Sequence, residues 1–225
     1  MSRILVIAPH PDDEILGVGG TIAKFSNSKN QVYVVILTKV CPPDFDPAIS
    51  ILGQKEALKA HKVLGVTKTF FLDFPVLSWS LISPVKLNNA LLKIITKVKP
   101  AKMFVPFPGD IHDDHQKAFF SSLVCARPNI PDPPDEIYAY ETLSETNWNA
   151  PYLTPSFCPN VFINIERTLA KKIQAMQKYK SQLKRFPHER SIISIKTLAR
   201  YRGSTVHLPA AESFVLIRKI DKKLF

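Results

Sequence analysis

The stretch of residues 4–14 constrains the fold of this chain more than any other. It begins with an uninterrupted apolar run, residues 4–7, which is typical of a buried parallel strand. Prolines on both sides of His10 keep the backbone extended and delay the helix that we predict over residues 15–25. The acids of residues 12–14 stand at the start of that helix, where the positive end of the helix dipole favours them. We therefore interpret the segment as a strand, a polar turn and a helix.

The same alternation of apolar runs and helical segments continues along the chain. The predicted strands comprise residues 4–7, 32–37, 69–72, 102–106, 137–141, 160–165 and 214–217. The predicted helices comprise residues 15–25, a segment ended by Gly65, residues 84–98 (preceded by a loop with Pro75 and Trp79) and residues 167–183. This order predicts an α/β, three-layer αβα Rossmann-like fold with a mostly parallel sheet and right-handed crossovers. Because the elements alternate without a break, we expect a single domain over residues 1–225.

Positive charge is concentrated in the last third of this chain, whose net charge is +11. Residues 1–160 contain 15 Lys/Arg and 15 Asp/Glu, whereas residues 161–225 contain 15 and 4. This asymmetry suits a nucleic-acid surface, an anionic membrane face or a phosphate-bearing substrate, and equally a solvated lysine-rich helix face. The basic residues fall at mixed helical phases with few aromatic residues, so we expect no specific nucleic-acid binding. For a phosphate-bearing substrate, Arg200 and Arg202 are the expected contacts.

Cysteine usage and hydrophobic patterning exclude several protein classes. Cys41, Cys125 and Cys158 share no CxxC spacing, so we expect reduced packing residues and neither a disulfide framework nor a thiolate zinc site. No signal-peptide pattern and no apolar run of membrane-spanning length is found in the sequence. We therefore expect a cytoplasmic protein with no transmembrane segment.

His10 and the acids after it supply the groups that a catalytic metal site needs. An imidazole with a carboxylate three residues on, Asp13, offers ligands suited to zinc. A second carboxylate, Asp12, remains free for proton transfer. The alternative interpretation is an acid-rich helix start beside a surface histidine.

A second polar segment, residues 108–115, follows the fourth predicted strand. In parallel sheets, ligands bind in the crevice outside the carboxyl ends of the strands. If the first and fourth strands are near neighbours, His115 faces His10 and Asp13 across this crevice. Three protein ligands with an open fourth position are the arrangement of catalytic zinc sites. The sequence therefore predicts a metal site at the carboxyl edge of the sheet, although a His-x-x-His pair alone is equally compatible with a surface loop.

With these motifs, the chain resembles the LmbE-like, or PIG-L, family of zinc-dependent de-N-acetylases. Members remove the acetyl group from N-acetylglucosaminyl conjugates and related amides. The specific matches are His-Pro-Asp-Asp-Glu at residues 10–14 and His-Asp-Asp-His at residues 112–115. The corroborating matches, which extend the resemblance over nearly the whole chain, are residues 17–20, 56–57, 64–66, 140–141, 172–179, 181–182 and 211–214.

The resemblance implies a role for each matching site residue. His10, Asp13 and His115 would hold one metal ion per chain, Zn²⁺ or, as a second compatible ion, Fe²⁺. Asp12 would be the general base that activates the attacking water. His112 would either polarise the acyl oxygen or protonate the leaving amine.

The chain departs from the family pattern at two positions. The family often has a substrate-contacting arginine three residues before the glutamate at Glu56, where this chain has Gly53. Asp113 stands where a proline is common between the two histidines. Neither departure removes an implied ligand or the base, but Gly53 leaves the identity of the substrate open.

Several other titratable residues receive weaker expectations. Glu14 is expected to support the turn, and His61 and His188 to lie on the surface. His207 precedes Leu-Pro and could reach the crevice. Asp110 either caps the following helix or contacts a sugar hydroxyl, and the sequence does not separate these roles.

The implied function is hydrolysis of the acetamide of an N-acetylated sugar to a free amine and acetate. The expected partner is a small-molecule N-acetyl sugar conjugate, and a phosphate-bearing form and a homo-oligomeric enzyme are both compatible with the sequence. One alternative is an amidase for another amide, such as an antibiotic intermediate or a thiol conjugate. Another is a non-catalytic basic binding module.

Overall fold

The computed structural model describes residues 1–43, 45–76 and 83–222, so Trp79 of the predicted loop lies outside the described residues. The strands are β1 (Arg3–Ala8), β2 (Gln31–Lys39), β3 (Lys68–Pro75), β4 (Lys102–Pro106), β5 (Glu136–Tyr140), β6 (Val161–Asn164) and β7 (Ala211–Lys219). The helices are α1 (Asp13–Asn27), α2 (Pro47–Leu64), α3 (Pro84–Val98), α4 (Asp113–Cys125), α5 (Leu169–Met176) and α6 (Ile192–Ser204).

The described strands form one sheet in the order β3-β2-β1-β4-β5-β7-β6. Strands β1 to β5 pair in parallel, whereas β7 runs antiparallel to both β5 and β6. The predicted α/β fold with a mostly parallel sheet is thereby confirmed. Strand order reverses between β1 and β4, which pair through Leu5 and Met103. The carboxyl ends of these two strands therefore open one crevice, the usual ligand position in such sheets.

Alternating side chains of β1 divide the hydrophobic core into two layers. Ile4 and Val6 belong to a core that also contains side chains of α1, α2 and α5. Leu5 and Ile7 belong to a second core, shared with α3 and α4. Because both faces of β1 are covered by helices, its sequence is a continuous apolar run instead of an alternating one.

Local sequence signals set several element boundaries, of which the end of α2 at Gly65 and the bounds of α3 and β4 were predicted. Asp46 caps α2, since its Oδ1 accepts a hydrogen bond of 2.8 Å from the backbone N–H of Ala48. Gly65 ends this helix with a φ of 77°, a left-handed conformation that glycine adopts at little cost. Helix α3 and strand β4 also have their predicted bounds, Pro84–Val98 and Lys102–Pro106.

The helix predicted over residues 167–183 is too long. Helix α5 ends at Met176, and the chain then turns so that the Tyr179 hydroxyl donates a hydrogen bond of 2.6 Å to Glu14. This tertiary contact replaces helical hydrogen bonds beyond the end of α5. A separate helix, α6, which the sequence analysis did not distinguish, begins after its capping residue Ser191.

No helix in the described part of the chain is long and apolar enough to cross a membrane. The three cysteines are free. Cys125 is buried and Cys41 is half-buried, whereas Cys158 is exposed. The predicted packing role is therefore wrong for Cys158, which lies in the exposed part of the loop before β6.

Candidate active site

The turn between β1 and α1 fixes the first group of polar side chains. Asp12 has a φ of 111°, in the left-handed region, which for such a residue costs about 1–3 kcal/mol. Two carboxylates stabilise the turn: Asp13 accepts a hydrogen bond from the backbone N–H of His10 (2.8 Å), and Glu14 accepts one from that of Asp12 (3.2 Å). The strained backbone is thus held in place at the carboxyl end of β1.

Glu14 lies behind the turn in a buried polar network. Its Oε1 accepts the Tyr179 hydroxyl and lies 3.0 Å from His61 Nε2, while His61 Nδ1 lies 2.7 Å from Thr69 Oγ1. Glu14 therefore supports the turn, as expected. The prediction of a surface position for His61 is wrong, because its side chain is only 3% exposed. Both of its ring nitrogens have partners, which is the condition for burying a polar ring.

Helix α4 brings His115 against His10 and Asp13. His115 Nε2 lies 3.2 Å from Asp13 Oδ2, and His10 Nδ1 lies 3.4 Å from the same oxygen. The potential ligand atoms of the three residues all lie within 4.8 Å of one another. His115 Nε2 and Asp13 Oδ1 are buried, and neither has a hydrogen-bond partner among the described residues. The structure thus brings together the three residues that the sequence singled out.

Each histidine of this group is oriented through its other ring nitrogen. His115 Nδ1 lies 2.8 Å from Asp110 Oδ2, and His10 Nε2 lies 2.9 Å from Asp114 Oδ2. His115 Nε2 and His10 Nδ1 consequently remain available on the side of Asp13. A carboxylate behind each imidazole is the arrangement that orients histidine ligands in metal sites.

Both expectations for Asp110 are wrong. The capping residue of α4 is His112, whose Nδ1 accepts a hydrogen bond of 3.2 Å from the backbone N–H of Asp114. Asp110 is fully buried between His115 and the hydroxyl of Thr146, which donates to its Oδ1 at 2.6 Å. A sugar hydroxyl does not reach it there, so Asp110 acts through His115.

A second set of potential ligands overlaps the first and consists of His10, His112 and Asp114. In this set, His10 Nε2 and Asp114 Oδ2 already face each other, and His112 Nδ1 accepts a backbone N–H. In the first set, the imidazole nitrogen His115 Nε2 is buried without a hydrogen-bond partner in the described part of the chain, whereas the ring nitrogens named for the second set are already engaged. Two imidazoles and one carboxylate with available lone pairs fit a divalent cation such as zinc, so the first set fits better.

The charges around this group favour a cation. Burial alone lowers the pKa of His10, but hydrogen bonds to Asp114 and Asp13 raise it to about 9. Burial likewise opposes charging of His115, yet Asp13 and Asp110 raise its pKa to about 10. Although burial opposes ionisation of Asp13, the two histidines hold its pKa well below its usual range. The carboxylates therefore produce a negative potential that favours positive charge among these three side chains.

Asp12 is buried beside this group and is contacted by Arg190, which the sequence analysis missed. Arg190 Nη1 lies 3.2 Å from Asp12 Oδ2, and the same guanidinium contacts Glu145, Gln182 and Ser144 at 3.2, 3.2 and 2.8 Å. Burial raises the pKa of Asp12 to about 8 although Arg190 lowers it. No local signal distinguishes Arg190 from the other basic residues nearby, since its partners lie far away in sequence.

His112 stands at the mouth of the group, with its ring centroid 4.5 Å from that of His10. Burial and the charge of His10 lower the pKa of His112 to about 4, so its ring is neutral near pH 7. Because its Nδ1 accepts the backbone N–H of Asp114, the proton of the neutral ring lies on Nε2. His112 can therefore donate a hydrogen bond from Nε2 into the crevice.

The crevice in front of these side chains has a cavity volume of about 270 Å³. Its polar lining includes His10, Asp12, His112, Glu145 and Arg190. Residues between β2 and the middle of α2 supply much of the remainder, including Val40, Phe45, Ile49 and Gly53.

The remaining histidines and arginines named in the sequence analysis lie elsewhere, and His188, contrary to the prediction, is not on the surface. His207 is exposed and does not line the crevice, and His188 is half-buried, with its ring 6.4 Å from that of Trp148. Arg202 forms two hydrogen bonds with Glu141, at 2.8 and 2.6 Å. Arg200 is exposed, and neither arginine lines the crevice. The structure therefore does not place these two arginines at the crevice, because α6 packs against β7, and their contact with a substrate phosphate stays a prediction.

Comparison with known proteins gives consistent matches. The model of the PIG-L family, described as GlcNAc-PI de-N-acetylase, matches residues 5–125, more than half of the chain. Diacetylchitobiose deacetylase of Thermococcus kodakarensis is 26% identical over 215 residues, which cover 90% of this chain and 78% of that protein. The probable N-acetyl-alpha-D-glucosaminyl L-malate deacetylase 2 of Bacillus anthracis is 24% identical over 189 residues, covering 80% and 81%.

A solved structure agrees with the fold. N,N'-diacetylchitobiose deacetylase from Pyrococcus horikoshii superimposes with a TM-score of 0.77 at 23% identity, covering 96% of this chain and 84% of that one. At this identity the likeness concerns the fold alone, whereas the family match covers β1 to α4 and both polar motifs. The chain belongs to the PIG-L family.

Proposed function

We propose that this protein is a metal-dependent deacetylase that hydrolyses the acetamide of an N-acetylglucosaminyl-type sugar to a free amine and acetate. The observation that carries the proposal is the convergence of His10, Asp13 and His115 beside Asp12, a buried acid outside their cluster. The names of the two relatives, which refer to diacetylchitobiose and an N-acetylglucosaminyl malate, support this substrate class.

His10, Asp13 and His115 would hold one zinc ion, and iron(II) is compatible with the same donors. When bound, the ion supplies a Lewis acid that lowers the pKa of water and polarises an acyl oxygen. Asp110 and Asp114 keep the two imidazoles oriented toward Asp13. Three protein ligands leave an open position, which a structural site usually does not have.

Asp12 takes a proton from the attacking water. Arg190 holds its Oδ2, which leaves Oδ1 to accept the proton. Burial raises the pKa of this carboxyl to about 8, and a general base is most effective when its pKa lies near the pH at which it operates. A binding module with a structural metal would have no use for this additional buried acid.

His112 donates a hydrogen bond from Nε2 to the acyl oxygen as negative charge develops there. The neutral ring and its fixed Nδ1 support this role over protonation of the leaving amine. The amine receives its proton from Asp12 as the C–N bond breaks. The hydroxyl of water thus ends on acetic acid, which ionises to acetate in solution, and the other proton of water ends on the amine, so that Asp12 returns to the carboxylate.

Metal analysis together with acetate release from a panel of N-acetyl sugars tests this function. We expect about one divalent ion per chain and acetate from N-acetylglucosamine, diacetylchitobiose or a simple N-acetylglucosaminide. Removal of the ion by a chelator should abolish release, and added zinc should restore it. Metal-loaded protein that releases no acetate from any of these sugars, yet hydrolyses an unrelated amide, would contradict the proposed substrate class.

A further inference from the structure

One wall of the crevice is apolar and exposed. It is formed by Val40 and Val76 after β2 and β3, Phe45 in the loop before α2, and Ile49 in the first turns of that helix. Phe45 is 37% exposed and Ile49 is 47% exposed, although both are large hydrophobic residues. Apolar side chains that converge on a cavity beside a polar site are typical of a wall that binds an apolar part of a ligand.

Gly53 of α2 is buried and lines the crevice next to this wall. Its φ is not in the left-handed region, so the backbone does not require glycine. Among the residues that the structure describes, a Cβ at this position would meet only Pro11, at 3.5 and 3.7 Å, which are ordinary van der Waals distances. The space next to Pro11 is therefore available to a ligand because residue 53 has no side chain.

The cations that line the crevice already have anionic partners. Arg190 contacts the carboxylates of Asp12 and Glu145. Lys39 Nζ lies 3.7 Å from Asp73 Oδ2. Among the lining residues that the structure describes, no further Lys or Arg remains to bind a phosphate or a carboxylate of a ligand.

We propose that the Phe45–Ile49 wall binds an uncharged, apolar group attached to the amino sugar, so that these two residues determine substrate specificity. The inference rests on the proposed deacetylase function and specifies its substrate further. The sugar's acetamide lies at the polar end of the crevice, and the aglycone extends over Gly53 toward Phe45 and Ile49. An anionic aglycone would lose its hydration without gaining a free cation.

A series of N-acetylglucosaminides with methyl, butyl and hexyl aglycones tests this assignment, together with N-acetylglucosamine 1-phosphate. We expect kcat/KM to rise about twofold to fourfold per added methylene until the wall is covered, mainly through KM. The phosphate should be the poorest substrate. Phe45→Ser and Ile49→Ser should each flatten the dependence on chain length.

Two further variants sharpen the test. Ile51→Ser is the matched control, because Ile51 is an exposed isoleucine of α2 that does not line the crevice, and it should preserve the dependence. Gly53→Arg adds a cation beside Pro11 and should shift the preference from hexyl to phosphate. The assignment is overturned if kcat/KM is independent of chain length, if the phosphate is preferred by the natural enzyme, or if Ile51→Ser flattens the dependence equally.

Calorimetric binding of the corresponding alkyl glucosaminides, the amine products, separates this inference from the function on which it rests. Affinity that rises with chain length and falls in Phe45→Ser, without acetate release from any substrate, supports the apolar wall and contradicts the deacetylase. Acetate release with equal affinity for all chain lengths supports the deacetylase and contradicts the wall.

Discussion

Residues 1–125 and residues 136–222 contribute to the site in different ways. The first region contains the parallel strands β1 to β4 and all three residues of the His10–Asp13–His115 group. The second contains β5, β6 and β7, of which β7 runs antiparallel to both of its neighbours, and it supplies supporting contacts, such as Arg190 to Asp12 and Tyr179 to Glu14. The proposed reactive side chains thus come from the turns and helix starts at the edge of the parallel sheet, while side chains of the later region contact them or their supports.

The charge excess of the second region has a structural use. Lys172 is buried and donates hydrogen bonds to Glu212 (2.6 Å) and to the backbone carbonyl of Leu16 in α1 (2.7 Å). Glu212 in turn accepts the backbone N–H groups of Gly20 and Thr21. Lys172 is one of the basic residues whose excess suggested an external partner, but in the structure it joins α5 and β7 to α1. The comparison predicts that substitutions in the first region abolish metal binding or turnover. Substitutions in the second region should instead lower the stability of the protein or misplace the groups of the site.

The largest expected effect is loss of a proposed metal ligand. His10→Ala, Asp13→Ala and His115→Ala should each lower the metal content from about one ion per chain to nearly none, and acetate release should fall to background. Elemental analysis of the purified proteins measures this. His188→Ala, a half-buried histidine outside the group, is the control. Full metal content in all three variants would refute the ligand assignment.

Loss of the proposed base should have the next largest effect. Asp12→Asn should keep the metal but lower kcat by roughly 10²- to 10⁴-fold, because the amide cannot take a proton from water. Steady-state kinetics on protein with verified metal content measures the change. An Asp12→Asn enzyme with normal turnover would show that another group is the base.

In the second region, Lys172→Met should reduce stability by about 3–5 kcal/mol, because it leaves the buried Glu212 without its cation. Urea unfolding measures this loss of unfolding free energy. The control is Lys178→Met, which replaces an exposed lysine of the following turn and should change the free energy of unfolding little. Equal stability of the two variants would remove the structural role proposed for this ion pair.

Arg190→Ala should lower kcat by roughly 10- to 100-fold, the value of a lost hydrogen bond to a charged group. Arg190→Lys should restore part of this loss, since a positive charge still reaches Asp12. Arg185→Ala, an exposed neighbour, should match the natural enzyme. If Arg190→Ala lowers only the thermal stability and leaves kcat unchanged, Arg190 has a purely structural role.

The smallest effect is expected for Arg200→Glu. Arg200 is exposed on α6 and does not line the crevice, so kcat/KM should change by less than about twofold. Kinetics with N-acetylglucosamine 1-phosphate at low and physiological salt measures it. A large rise in KM at physiological salt would show that the basic face does contact substrate and would break the division between the two regions.

The sequence alone determined the parallel half of the fold and the position of the polar group. Residues 4–7 are an apolar run, residues 102–106 contain the apolar residues 103–105, and each segment is followed by one rich in His and Asp. Such signals are local, and the carboxyl ends of parallel strands meet at one edge of a sheet, so these segments had to be considered together. The roles assigned to His10, Asp13, His115, Asp12 and His112 remain proposals for experiment.

Only the tertiary structure decided which polar groups support the site. Arg190 and Asp12 are 178 residues apart, and His61 and Glu14 are 47 apart, so no sequence window contains either pair. A surface position was predicted for His61 because lysines stand beside it in the sequence. His61 is buried instead because it lies on the face of α2 that packs inward. The end of α5 and the antiparallel direction of β7 likewise depend on contacts made after the chain has folded back. Periodicity specifies which residues are buried in an element, whereas partners for buried polar groups exist only once distant elements are packed together.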